Sequence, residues 1–401
     1  MRTTWNFHVP GQLTFGSGSV RQIGALVARR KLRRALLITD KNLVEAGIAD
    51  RVLGPLDQAG ITVATFDGGE AEPSVSAALR AIDSARRFQP EAIIGLGGGS
   101  NIDLAKVTAA VITHGGEPRD YYGFDRVPGP VLPLICVPTT AGTGSEVSHA
   151  AVLTDTANQV KVSILSNFLR PAIALVDPEL TYSCPRQVTA DSGIDALTHA
   201  IEALTATNYN ELEVPPGEAC AYEGRYVLAD CLAEKAIELV GRHLSEAVSN
   251  PQNHVARENM ALAATLAGIA FSNCGVALVH ALEYPLGGTL HCSHGAGNGL
   301  LLPYVMRFNL PEREATFARI AALLGEDVRG LDAKRAAEKA IAAVEQLRRQ
   351  IGIPERIRDI GGAAHQLPTF AEKAFAIKRL LWVNPRRATL DDLLGILQAA
   401  L

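Results

Sequence analysis

Tryptophan and methionine are scarce, with 2 and 3 copies in 401 residues, and aromatic residues make up only 5% of the chain. The six cysteines (Cys136, Cys184, Cys220, Cys231, Cys274 and Cys292) include no C-x-x-C pair. That spacing fits reduced intracellular thiols better than a disulfide scaffold or a zinc ribbon. Neither charge sign dominates: Lys+Arg 38 against Asp+Glu 42 leaves a net charge of −4. General binding to nucleic acid or to an anionic membrane is therefore not expected. The opening stretch MRTTWNFHVPGQLTFGSG has no apolar core behind its basic residue, so no secretory signal is read and a cytoplasmic location is expected. The nearest approach to a membrane span is 260–282, which carries Thr265, Ser272, Asn273 and His280. The cost of those polar groups in lipid makes it a buried helix pair with a break near Ser272–Gly275. The G-x-G-x-x-G fingerprint of the ordinary dinucleotide-binding fold is missing as well.

What is present is ordinary globular material, 47% hydrophobic and 20% charged, long enough for two to three domains. The first half alternates short β-like runs with helical stretches. Strands are expected at 35–40, 61–66, 92–97, 132–138 and 172–177, with a hairpin formed by 151–155 and 160–165. Helices are expected at 41–59, from Pro73 to Phe88, and from Asn101 to Thr113. The run AIIGLG at 92–97 is apolar throughout, as a strand covered on both faces must be. This pattern predicts a mostly parallel sheet with helices on both faces. After Pro185 the chain turns to long Ala/Leu-rich helical patterns at 188–206, 226–248, 252–270, 296–309, 313–324, 333–351 and 391–400. The polar stretch 207–225, with Pro215–Pro216, reads as a loop among them. The expected division is an α/β domain over 1–184 and an all-α domain over 185–401.

Three patterns carry chemistry. In GLGGGSNIDLAK (95–106) a strand ends in Gly97–Gly98–Gly99 and a helix begins at once. The free N–H groups and positive dipole of such a helix start favour an anion, most naturally a diphosphate. A tight strand-to-helix turn with Ser100 as N-cap would leave the same trace. In VPTTAGTGSEVS (137–148), Thr139, Thr140, Thr143 and Ser145 follow a buried strand. In a parallel α/β sheet this loop and the glycine loop share the C-terminal edge, where ligands bind. Asp40 ends the first β-run and suits either a ribose or the N-cap of the next helix, and Asp103 has the same two readings. In DSGIDALTHAIEALT (191–205), Asp195 and His199 lie four apart, so one helical face presents a carboxylate beside an imidazole. His280 and His294 come later, separated by a segment whose Pro285, Gly287 and Gly288 are expected to break the helix and fold the two imidazoles toward one point. One Asp and three His form an N/O donor set suited to Fe(II) or Zn(II). His291 is near enough to compete with His294 on spacing alone.

The segments GGGSNIDLAK, PTTAGTGSEVS, DSGIDALTHAIEA and VHALEYPLGGTLHCSHGAGNGLLLPYVMRFN, in this order, resemble the iron-dependent (group III) alcohol dehydrogenase family over about residues 6–400. The resemblance implies an N-terminal dinucleotide-binding α/β domain and a helical C-terminal domain that holds a metal. By matching position, it implies metal ligands at Asp195, His199, His280 and His294, which selects His294 over His291. Contacts to a nicotinamide cofactor fall on Asp40, Gly97, Gly98, Ser100, Asp103, Thr139, Thr140, Thr143 and Lys161. Phe271 matches an aromatic residue that lines the substrate pocket. Many members carry a second His in an H-x-x-x-H-P-L-G pattern, where this chain has Tyr284; with Phe271, Tyr284 is the candidate at the reacting centre. The Tyr and the long 207–225 loop are similar to the hydroxyacid–oxoacid transhydrogenase branch, which handles 4-hydroxybutyrate. Arg225 and Lys235 lie near that loop, as carboxylate partners or as a solvated face.

The resemblance thus implies an iron-type enzyme that interconverts a small primary alcohol or hydroxy acid and its aldehyde by hydride transfer. Its cofactors would be Fe2+, with Zn2+ as the alternative, and NAD, favoured over NADP because Asp40 would repel a 2′-phosphate. The partners implied are a small-molecule alcohol or aldehyde and a second copy in a homodimer. The alternatives are a transhydrogenase with tightly held cofactor and, more remotely, a lyase of the dehydroquinate synthase type.

Overall fold

The computed structural model describes residues 2–156, 160–214 and 220–401. The chain divides into two compact units, His8–Cys184 and Met1–Phe7 with Pro185–Leu401. The first few residues therefore pack with the helical part: the Trp5 ring stacks on Tyr226 at 4.3 Å, and Arg2 pairs with Glu223.

The His8–Cys184 unit runs β1 (Leu13–Phe15), α1 (Ile23–Arg29), β2 (Arg34–Ile38), α2 (Lys41–Glu45), α3 (Asp50–Gln58), β3 (Thr62–Phe66), α4 (Val75–Phe88), β4 (Ala92–Gly97), α5 (Gly99–His114), β5 (Gly123–Phe124), β6 (Leu134–Pro138), β7 (Ala150–Asp155), β8 (Val160–Leu165) and β9 (Ile173–Val176). Six strands form a sheet in the order β1-β9-β6-β4-β2-β3, and every pairing in it is parallel. Side chains alternate between its two faces. Leu36, Ile38 and Ile93 join α4 and α5 on one face, while Ala35, Leu37, Ile94 and Leu96 join α1 and α3 on the other. Burial on both faces is why 92–97 is apolar throughout. β7 and β8 form the expected hairpin, with Ala151 opposite Ile164. They belong to a separate three-stranded sheet with β5, a two-residue strand too short to leave a pattern.

Three expectations shift. The single helix over 41–59 is two, α2 and α3. Ala46 closes the first against Asn42 and Val44, and Gly47 takes a positive φ of 71°. Pro73 does not open α4: Ser74 does, its Oγ accepting the Ala77 N–H at 3.0 Å. Ser100 is not the cap of α5, whose N-cap is Gly98; the Ser100 hydroxyl donates instead to the Ala71 carbonyl at 2.6 Å.

The helical unit contains α6 (Arg186–Thr205), α7 (Val227–Ser249), α8 (His254–Cys274), α9 (Leu278–Leu290), α10 (His294–Asn309), α11 (Glu314–Leu323), α12 (Ala333–Ile351), α13 (Leu367–Ala376), α14 (Lys378–Val383) and α15 (Leu390–Ala400). No regular strand occurs there among the described residues; the loop after α6 closes on itself through an isolated bridge between Asn208 and Arg225. Pro215–Pro216 lie outside the described residues. Among the described residues no single helix is long and apolar enough to cross a membrane. The pair α8–α9, which spans 260–282, bends by 105° at Gly275–Ala277, close to the expected break.

Candidate functional site

The donor cluster is assembled from three helices of one unit. On α6, Asp195 and His199 are one turn apart and both buried, with 3.8 Å between Asp195 Oδ1 and His199 Nε2. His280 stands in the first turn of α9, and His294 is the first residue of α10. His294 Nε2 is 3.9 Å from Asp195 Oδ1. One ligand atom from each of the four lies within 4.8 Å of every other. The rings of His199 and His280 stack at 4.9 Å, and Phe271 also stacks on His199, at 4.2 Å. The Tyr284 ring stands 6.5 Å from His280 and 6.1 Å from His294.

The link between the two later histidines differs from the expected one. Pro285, Gly287 and Gly288 do not break the helix: α9 runs through all three to Leu290. Proline removes one backbone bond, but Leu282, Pro285, Leu286 and Gly287 are all buried, and that packing outweighs the local preference. The turn comes at His291, whose left-handed backbone (φ 56°) closes α9. His291 is exposed and spent as a helix cap, which separates it from His294 by geometry. Ser293 then caps α10, its Oγ accepting the Ala296 N–H while donating to Asp191 on α6 at 2.6 Å. Gly295 lets α10 lie directly on α6, since a Cβ there would sit 2.0 Å from the Asp191 carbonyl oxygen.

The cluster suits a cation. Glu202 Oε2 lies 2.6 Å from His280 Nδ1, and Glu283 Oε2 lies 2.5 Å from His294 Nδ1. With Nδ1 engaged, Nε2 is the remaining lone pair on each ring. The Asn298 amide nitrogen lies 2.8 Å from Asp195 Oδ1 and 3.2 Å from both His280 Nε2 and His294 Nε2. Three acceptors thus converge on one donor, the environment a metal ion also requires. Burial alone would raise the Asp195 carboxyl, but His199, His294, His280 and the Asn298 bond outweigh it and hold it below the usual carboxylate range. Asp191, one turn earlier, goes the other way: burial raises it more than its Ser293 and Gln187 bonds lower it.

The expected cofactor positions lie in the other unit, mostly at the C-terminal ends of β2, β4 and β6. In the strand order, β2 and β4 are neighbours from which the chain departs in opposite directions, the switch point where nucleotides bind in such sheets. Asp40 follows β2, and Gly97 ends β4 with Gly98 capping α5; Asn101 joins the two connections by donating from Nδ2 to Asp40 Oδ2 at 2.7 Å and to the Leu96 carbonyl at 3.1 Å. Asp40 also caps α2, its Oδ1 accepting the Leu43 N–H at 3.1 Å, which is the second of its two expected readings. Gly97 adopts φ 143°, and a Cβ there would meet the Asn101 side chain at 2.2 Å. Gly98, the N-cap of α5, has no side chain to cap the first turn. Thr139 donates its N–H to the Gly97 carbonyl at 3.0 Å, Thr140 flanks Gly98, and Thr143 packs on Gly99.

Two other expected positions have partners within the protein. Asp103 accepts from Ser145 Oγ at 2.6 Å and from the Val152 N–H at 2.9 Å. Lys161 lies in β8, its side chain 6% exposed and 3.4 Å from Glu72. Lys106 was not anticipated. Fully buried, its Nζ donates to Ser145 Oγ, Ser148 Oγ and the carbonyls of Ser148 and Ala150, and burial lowers its pKa. Arg225 is engaged by Asp230 and Thr316, and Lys235 by Glu238 on an exposed helical face. Sequence reasoning also passed over Glu202, Glu283 and Asn298. Their only trace was helical spacing, at three residues after His199, three after His280 and four after His294.

Comparison with known proteins agrees with this architecture in both units. The family model described as iron-containing alcohol dehydrogenase matches residues 10–178, and its C-terminal counterpart matches 189–401. The 1,3-propanediol dehydrogenase of Klebsiella pneumoniae is 38% identical over 398 residues, 99% of this chain and 98% of that protein. The NAD-dependent methanol dehydrogenase of Bacillus methanolicus is 36% identical over 396 residues, 99% of this chain and all of that protein. A crystal structure of a 1,3-propanediol oxidoreductase superposes with a TM-score of 0.93 at 37% identity, covering both chains completely. The parallel sheet, the helical unit with its one-carboxylate, three-imidazole cluster, and matches over nearly the whole length lead to one conclusion: the chain belongs to the iron-containing alcohol dehydrogenase family.

Proposed function

We propose that this alcohol–aldehyde oxidoreductase is NAD-linked and iron-dependent, with small primary alcohols as its substrates. The observation that carries the reading is the convergence of Asp195, His199, His280 and His294 within 4.8 Å. The NAD-dependent methanol dehydrogenase and the 1,3-propanediol dehydrogenases among its relatives support both the cofactor and the substrate class.

In this reading the four donors would hold a divalent ion, Fe2+ in preference to Zn2+, whose Lewis acidity would ease loss of the substrate hydroxyl proton. Each residue then has one task. Asp195 contributes the single negative charge of the set, and the imidazoles contribute neutral nitrogen donors. Phe271 holds the His199 plane and offers an apolar wall to the carbon chain. Tyr284 would relay the departing proton, its hydroxyl accepting it while passing its own proton to water, from the position where the resemblance places a second histidine in many family members. In the α/β unit, the uncapped first turn of α5 takes the diphosphate, and Thr139, Thr140 and Thr143 shape the nucleotide loop. Asp40 accepts from the ribose hydroxyls and disfavours a 2′-phosphate, and Lys161 completes the cofactor set. A nicotinamide cofactor held there would supply the redox chemistry as hydride acceptor, and the protein would supply orientation.

The test is an NAD(P)-coupled screen of C2–C6 alcohols, diols and ω-hydroxy acids with metal analysis of the same sample. Steady accumulation of free NADH from an alcohol alone supports the proposal. Turnover that appears only when a 2-oxoacid is added would assign the chain to the transhydrogenases instead.

A further inference from the structure

Two buried carboxylates outside the ligand set occupy positions that the reaction itself does not use. Glu202, on α6, receives three donors: the backbone N–H of Ala277 at 2.9 Å, that of Val279 at 2.7 Å, and His280 Nδ1 at 2.6 Å. The first two are among the N–H groups at the start of α9 that have no partner within the helix. One carboxylate therefore fastens both the start of α9 and the His280 ring to the helix that carries Asp195 and His199. Glu283 repeats the arrangement one step along. It lies on α9 one turn beyond His280, is fully buried, and meets Nδ1 of His294, which opens α10. Asn298, on α10, completes the circuit back to Asp195 on α6 at 2.8 Å.

We infer that Glu202 and Glu283 are positioning residues that fix the ring orientation and tautomer of His280 and His294, and so pre-form the donor cluster. The inference rests on the metal-dependent reading above and extends it to residues outside the ligand set. A carboxylate only accepts, so each ring must place its proton on Nδ1 and leave its Nε2 lone pair directed into the cluster. Asn298 is consistent with this from the opposite side: its amide nitrogen lies 3.2 Å from both Nε2 atoms and, with one N–H given to Asp195 Oδ1, has a second to offer them as acceptors. A glutamine in place of either glutamate can turn its NH2 toward Nδ1. That reverses the tautomer, puts the proton on Nε2 and occludes the donor atom.

The test uses the full-length, metal-stripped protein titrated with Zn2+ or Co2+ against a chelator. Glu202→Gln and Glu283→Gln should each bind the metal about 10- to 100-fold more weakly than wild type. The visible spectrum of the Co2+ form should change in both. Because a buried substitution can impair folding, a second measurement uses the unmutated chain: 15N NMR of the metal-free imidazoles should show His280 and His294 protonated at Nδ1. Wild-type affinity in both folded variants, or Nε2–H tautomers in the native protein, would overturn the inference and leave the functional reading standing. A native chain that takes up no metal would overturn the functional reading and, with it, this one.

Discussion

Asp195 is the one anion among the four donors, and its neighbours already hold it ionised more firmly than an ordinary aspartate. Asp195→Ala should therefore abolish metal uptake and lower kcat/KM by about a thousandfold or more, equivalent to some 4 kcal/mol, with the fold retained. Metal analysis beside an NADH assay checks it, and substantial metal in the variant would refute the assignment. Tyr284 is tested separately. Tyr284→Phe keeps the ring against His280 and His294 and removes only the hydroxyl, so kcat should fall by about 10- to 100-fold with metal content unchanged. An unchanged kcat and pH profile would remove the hydroxyl from proton transfer. At this scale the Asp195/His199 pair was legible in the sequence because carboxylate and imidazole at i, i+4 leave a recognisable trace, whereas His280 and His294 have no such spacing. Choosing His294 over His291 needed resemblance, since what separates them is backbone: His291 is a left-handed helix cap and His294 opens a helix. Glu202 and Glu283 escaped notice because a glutamate in a helix is ordinarily solvated, and only tertiary packing turns these two inward.

Individual helices and strands were readable where one rule dominated and misread where two competed. β4 was plain because burial on both faces left no polar residue in it. α9 was misjudged because proline and glycine weigh heavily in a local reading, whereas the helix is held by neighbours that a local reading does not include. β1, β5 and α14, with 3, 2 and 6 residues, are too short to build a periodic signal. Two element contacts give sharp expectations. Gly295→Ala would press a methyl against the Asp191 carbonyl and push α10 off α6, at a cost of about 3 kcal/mol in urea-denaturation stability, the upper part of the range for overpacking. An unchanged midpoint would show that α10 is free to shift. Lys106 ties α5 to the loop and strand at 145–150. Lys106→Met leaves the Ser148 and Ala150 carbonyls without that donor, which should also cost about 3 kcal/mol and raise the KM for NAD. A variant with normal stability and normal KM would show that the buried ammonium neither supports the fold nor shapes the nucleotide loop.

For the whole chain, composition set the class and little more: balanced charge, scattered cysteines and ordinary hydrophobicity fit any enzyme of this size. The division into an α/β half and a helical half followed from the change in periodicity after Pro185, yet the affiliation of Met1–Phe7 with the helical unit was invisible. It depends on Trp5 finding Tyr226 more than two hundred residues away, a pairing no local pattern encodes. The two kinds of chemistry occupy different parts of the chain: the glycine loop and threonines lie in the first unit, and the acid and three imidazoles in the second. The decisive measurement removes the metal from the intact protein, returns Fe2+ in graded amounts, and follows NADH formation from a small primary alcohol against the metal bound. Activity absent from the stripped protein and rising in proportion to occupancy, to about one ion per chain, is the predicted result. Full NADH formation by stripped protein, or by Asp195→Ala free of metal, would contradict it.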